Sequence, residues 1–82
     1  MQEITEAKVL SAIMELKDDP TVPRNVKVRL SAAEAELRKR DDYSVRVNKA
    51  LNELEDVSDD TNIQAYTRTQ LWNIVSMLEK LQ

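Results

Sequence analysis

Not one residue of the chain is glycine, and its two prolines, Pro20 and Pro23, stand close together. A strand-rich fold of this size needs tight turns built on glycine or asparagine, with β-branched alternation between them. Neither pattern occurs. Apolar residues recur instead at threes and fours. Ile4, Ala7, Leu10 and Ile13, flanked by Val9 and Leu16, mark a first helix. Val26, Leu30, Ala33 and Leu37 mark a second, and Val47, Ala50, Leu51, Leu54 and Val57 a third. Leu71, Ile74, Val75, Leu78 and Leu81 mark a fourth. The expected spans are 3–17, 22–39, 43–57 and 63–81 in an all-α chain.

The breaks are also written in the residues. Pro20 lacks an N–H and disfavours helical geometry at Asp19, so the first helix stops there. Thr21 is expected to cap the second helix, with Pro23 in its first turn and Val22 stapling onto Val26. Asp41 or Asp42 is expected to cap the third helix, and Asn62 the fourth. Without glycine, a left-handed helix C-cap would fall to asparagine, aspartate or another residue at some cost.

Sliding the chain against itself by 41 positions superposes two hairpins. Asp18-Asp19 falls on Asp59-Asp60, Leu10 on Leu51, Leu30 on Leu71 and Leu37 on Leu78; seven of the 41 aligned positions are identical. A repeat of the apolar frame points to two helical hairpins. Short connections then make a four-helix up-and-down bundle in one domain, residues 1–82. A stacked pair of hairpins is the alternative, because Asp42-Tyr43-Ser44-Val45-Arg46 is slightly similar to the Asp…Val-Arg element of HEAT repeats.

Composition narrows function. The 82 residues include no cysteine and no histidine. A histidine-based triad and a cysteine nucleophile are thereby excluded, as are cysteine- or histidine-ligated metal sites. A core this thin leaves little room for a pocket that retunes Asp, Glu, Lys or Tyr, so no enzyme and no cofactor is expected. Small cores without staples often gain from oligomerisation, which favours a homodimer. No stretch is long and apolar enough to span a bilayer, and the N-terminus lacks a signal-peptide layout, so a cytoplasmic protein is expected.

Three stretches carry a resemblance. Thr21-Val22-Pro23-Arg24-Asn25 opens the second helix and Ser44-Val45-Arg46-Val47 the third; Asn62, Arg68-Thr69 and Trp72-Asn73-Ile74-Val75 mark the fourth. In these the chain resembles an uncharacterised archaeal protein family, number 0147. Its pattern has proline where this chain has Gln64, a position that tolerates glutamine. The resemblance implies a small archaeal cytosolic helical protein and brings no activity.

The candidate interaction surface is Arg24, Asn25, Arg68, Trp72 and Val75. Arginine in a first helical turn opposes the helix dipole, so Arg24 and Arg68 pair with Asp18, Asp19, Asp59 or Asp60, or else form an anion- or partner-contacting edge. Trp72 and Val75 widen the apolar arc of the fourth helix beyond one seam, which suits either a central helix or one facing a second chain. The function expected is a non-catalytic interaction or assembly module, possible self-association included. The alternative is nucleic-acid binding by the second helix, where Arg24, Lys27, Arg29, Arg38, Lys39 and Arg40 face only Glu34 and Glu36. The net charge of −3 disfavours it. The pairs Asp18-Asp19, Asp41-Asp42 and Asp59-Asp60 lack the glycine and distal glutamate of a calcium loop, so no metal is expected there.

Overall fold

In a computed structural model that describes residues 3–60 and 62–82, the chain forms four α-helices. They are α1 (Glu6–Lys17), α2 (Arg24–Leu37), α3 (Tyr43–Ser58) and α4 (Ala65–Leu81). Each helix packs on its neighbour in sequence, and α1 closes the ring against α4. Among the described residues the diagonals α1·α3 and α2·α4 do not pack backbone to backbone. Layered hairpin stacks would need such pairings, so the fold is the four-helix bundle. The α2·α3 seam is the most extensive and the α1·α4 seam the least.

The core is aliphatic. Val9, Ile13, Val26, Leu30, Val47, Leu54, Leu71 and Leu78 are fully buried in one cluster that runs through all four helices. Shifting by 41 residues maps Val9, Ile13, Leu16, Val22, Val26, Leu30, Ala33 and Leu37 onto Ala50, Leu54, Val57, Ile63, Thr67, Leu71, Ile74 and Leu78, and every one of these is buried. The two hairpins are structural repeats.

Their connections repeat in the same register. Asp18 and Asp59 end α1 and α3 at φ −80°, ψ −8° and φ −85°, ψ −5°. The next residues, Asp19 and Asp60, donate their N–H to the carbonyls of Leu16 and Val57. Their carboxylates then fold back on the chain: Oδ1 accepts from the N–H of Thr21 at 2.9 Å and of Asn62 at 2.8 Å. The acidic pairs are turn-builders.

These turns correct two expectations about helix starts. Thr21 does not cap α2, because its hydroxyl donates to Asp19 Oδ1 at 2.7 Å. Asn62 does not cap α4, because it lies in the turn held by Asp60, two residues before the N-cap position. Pro23 and Gln64 occupy the N-cap positions without a side-chain bond, so α2 and α4 begin two residues later than the apolar pattern suggests. Val22 and Ile63, just outside those helices, plug the bundle end instead of belonging to them; Val22 lies in the core cluster with Val26. Asp42 is the N-cap of α3 by position, again without a side-chain bond. At the other end α1 starts at Glu6, because Thr5 Oγ1 accepts the N–H of Lys8 at 3.2 Å and caps it. No described residue takes a positive φ, so no left-handed C-cap is used among them. The helices end through short i→i+3 bonds such as Lys39 N–H to the Glu36 carbonyl, which satisfy final carbonyls without a left-handed residue.

Two carboxylates link the fold to pH. Lys17 Nζ bonds Glu34 Oε1 at 2.7 Å across the α1·α2 seam, and this bond chiefly holds the Glu34 carboxyl below its ordinary value of 4.5. The Thr21 hydroxyl and N–H lower Asp19 from 3.8. A folded value below the unfolded one means that the unfolded chain binds more protons in acid. The stability these groups supply is therefore complete above their ordinary values and lost as pH falls through the lowered ones. Denaturant midpoints measured from about pH 6 down to about pH 3 are expected to fall, and to fall less in Glu34→Gln. Equal acid slopes in the two proteins would show the Glu34 bond to be idle.

Candidate functional site

Asp60 organises one end of the bundle. Its Oδ1 is used in the turn, which leaves Oδ2 to accept Asn25 Nδ2 at 3.0 Å and its carbonyl to accept Arg68 Nη2 at 2.6 Å. The starts of α2 and α4 are thereby tied to the α3–α4 connection, and two of the five candidate residues meet there. Arg68 thus engages a backbone carbonyl and not a carboxylate, and its buried Nε has no partner among the described atoms. Arg24 lies exposed at the start of α2 and forms no ion pair among the described residues. Of the pairings expected between these arginines and the acidic loops, neither is made to a side chain.

Trp72 follows Arg68 by one helical turn, with Val75 three residues beyond. The core stripe of α4 is Thr67, Leu71, Ile74 and Leu78. Arg68, Val75 and Gln82 lie on the flank towards α3, where the Gln82 amide bonds Asn48. Val75 packs partly buried against the core, whereas Trp72 is 56% exposed. Intramolecular packing of Trp72 in the core is thus excluded. The other aromatics, Tyr43 and Tyr66, are also exposed, so a chain with one tryptophan, two tyrosines and no phenylalanine puts none of them in its core. Aromatics ordinarily dominate cores, because each buries a large area.

On the opposite flank of α4 the loosest seam opens into a groove of about 420 Å³. Leu16, Ile74 and Met77 supply apolar lining, and Glu15, Asp19, Tyr66, Gln70 and Asn73 supply polar groups. Nothing in the spacing of a single helix marks this groove, since its walls come from opposite ends of the chain.

Half of the basic residues of the second helix are in ion pairs. Arg29 reaches Glu53 Oε2 at 3.2 Å and Asp56 Oδ2 at 3.7 Å on α3. Arg38 pairs with Glu34 at 3.2 Å and Lys39 with Glu36 at 3.0 Å. Arg24, Lys27 and Arg40 remain without ion pairs among the described residues, and they do not form a stripe. Among the described residues no three carboxylates gather as a metal shell. No described helix is long and apolar enough to cross a membrane.

Arg46 was missed as a structural residue. Its Nη1 meets the Glu6 carboxylate of α1 and, at 2.6 Å, the Leu37 carbonyl at the end of α2; its Nε bonds the Asp41 carbonyl at 3.1 Å. Its guanidinium carbon stands 5.5 Å from the centre of the Tyr43 ring. The Val-Arg pair of the third helix is the only signal of it in the sequence.

Residues 2–81 match the model of the uncharacterised protein family UPF0147. A UPF0147 protein of Sulfurisphaera tokodaii is 40% identical over an alignment of 84 positions, gaps included, covering 94% of this chain and 91% of that protein. One from Archaeoglobus fulgidus is 36% identical over 74 residues, 90% of this chain and 85% of its own. The crystal structure of a UPF0147 protein from Thermoplasma acidophilum superposes with a TM-score of 0.89 at 32% identity, covering 93% of this chain and 91% of that one. The four-helix ring with its α4 tryptophan therefore belongs to a member of the archaeal protein family UPF0147.

Proposed function

We infer that the chain is a non-catalytic docking module of the cytoplasm that self-associates through the Trp72 flank of α4. The single observation behind this is the exposure of Trp72, the largest side chain in the protein, beside the half-buried Val75 and Arg68. Covering the exposed part of the indole would return on the order of 1–2 kcal/mol, and tryptophan is a frequent anchor at interfaces. Arg24 and Arg68 supply polar donors at the same end of the bundle. Catalysis is left out because the chain offers neither histidine nor cysteine as base or nucleophile.

Sedimentation across a wide concentration range tests the proposal. A concentration-dependent dimer is expected, weakened by about tenfold or more in Trp72→Ala. The monomer's stability should change by less than about 0.5 kcal/mol, as for a surface substitution. Val75→Glu is a poorer probe, since Val75 touches the core. A monomer at every concentration would sink self-association, and equal dimerisation of Trp72→Ala would move the interface elsewhere.

A further inference from the structure

We propose that the groove between α1 and α4 docks an arginine-bearing segment of a partner protein, with the guanidinium between Glu15, Asp19 and Tyr66. This goes beyond the Trp72 reading and does not depend on it, because the groove lies on the opposite flank of α4. The internal repeat carries the inference. A shift of 41 residues turns the α2·α3 seam into the α4·α1 seam, so each residue of the closed seam has a counterpart in the open one.

In the closed seam Arg29 lies against Glu53 and Asp56, at 3.2 and 3.7 Å, and Asn25 donates to Asp60 Oδ2 at 3.0 Å. The counterparts in the groove are Gln70 for Arg29, Ala12 for Glu53, Glu15 for Asp56, Tyr66 for Asn25 and Asp19 for Asp60. The cation has been replaced by an amide, and the side-chain donor by a phenol. Two of the three carboxylates remain. Among the described residues Glu15 has no bonded partner, and Asp19 uses only Oδ1, in its turn with Thr21. Lys27 acts on Asp19 through space without forming an ion pair.

The open groove is thus the closed seam with its arginine and one of that arginine's two carboxylates removed, while Glu15 and Asp19 stay on the rim. A partner's arginine restores what is missing. Its stem can lie along Leu16, Ile74 and Met77 while its fork meets Glu15 and the free Oδ2 of Asp19. Tyr66, 59% exposed on the rim, offers a ring face to the same cation. The volume of about 420 Å³ suits an arginine and its neighbours.

The test uses the full chain, labelled with nitrogen-15, and the peptide acetyl-Leu-Arg-Leu-amide, with citrulline for arginine in a control. Amide shifts are expected over positions 12–19 and 66–77. Binding should weaken by about fivefold when citrulline replaces arginine, and by a similar factor in Glu15→Gln, as for one exposed ion pair. The double variant Ala12→Glu, Gln70→Arg rebuilds the closed seam within the chain. It should lose peptide binding and melt at a higher temperature; if it does not fold, Glu15→Gln and the citrulline control still decide. No shifts in the groove, equal binding of the citrulline peptide, or binding kept by a folded double variant would each overturn the proposal. Concentration-dependent broadening of groove signals without peptide would also overturn it, since a second copy would then be the occupant. Trp72→Ala should leave peptide binding unchanged, so the two readings fail separately.

Discussion

Arg46→Ala is expected to destabilise the bundle by about 2–3 kcal/mol, the scale of hydrogen bonds to a charged group whose partners are left behind. The side chain is only 16% exposed, so water does little to replace what the substitution removes. Four groups converge on it: the Glu6 carboxylate, the Leu37 and Asp41 carbonyls, and the Tyr43 ring. The Leu37 carbonyl belongs to the last turn of α2, where carbonyls have no partner within the helix, and the guanidinium serves as its cap. The Glu6 contact joins α1 to α3 across a diagonal on which the backbones do not pack. At about 4–8 °C per kcal/mol for a domain of this size, the melting midpoint should fall by about 10–20 °C. Arg46→Lys keeps the charge but loses the fork that reaches three acceptors, so it should fall between the two. A midpoint in Arg46→Ala within about 2 °C of the parent would mean that solvent replaces these bonds at no cost.

Arg46 also shows where sequence reasoning stops. Its acceptors are two main-chain carbonyls and a carboxylate 40 positions away, and no periodicity encodes such a meeting. The apolar frame was legible because burial imposes the 3.6-residue period on every helix, and the eight paired core positions follow it in both hairpins. Helix starts were less legible. The turns closed by Asp19 and Asp60 leave Thr21 and Asn62 two residues ahead of the N-caps Pro23 and Gln64, and the Thr21 hydroxyl is itself spent on Asp19. Of the candidate surface, Asn25 and Arg68 do meet at one residue, Asp60, but Asn25 takes its carboxylate and Arg68 its main-chain carbonyl, an acceptor that no residue type announces. The groove was hidden for another reason. Its character lies in how residues 12, 66 and 70 differ from 53, 25 and 29, and that comparison needs the register of the two seams.

Thr67→Val is expected to stabilise the protein by about 1–2 kcal/mol, because a buried hydroxyl with no partner costs roughly that much. Thr67 is fully buried in the first turn of α4, and its Oγ1 has no hydrogen bond among the described atoms. Thr69, one residue pair further on, shows the usual remedy: its hydroxyl donates to the Ala65 carbonyl at 3.0 Å. At position 67 the side chain instead points into the aliphatic cluster, where its counterpart in the first hairpin is Val26, also fully buried. Valine has nearly the same shape, so the exchange removes the polar atom without opening a cavity, and valine is the residue at the equivalent site of the first hairpin. The melting midpoint should rise by about 4–8 °C for each kcal/mol gained. The reciprocal change, Val26→Thr, places the same hydroxyl at the equivalent site and should cost a similar amount. Opposite shifts of similar size would identify the unsatisfied hydroxyl as the cause. An unchanged or lower midpoint in Thr67→Val would show that Oγ1 finds a partner in solution, a buried water among the core side chains being the simplest.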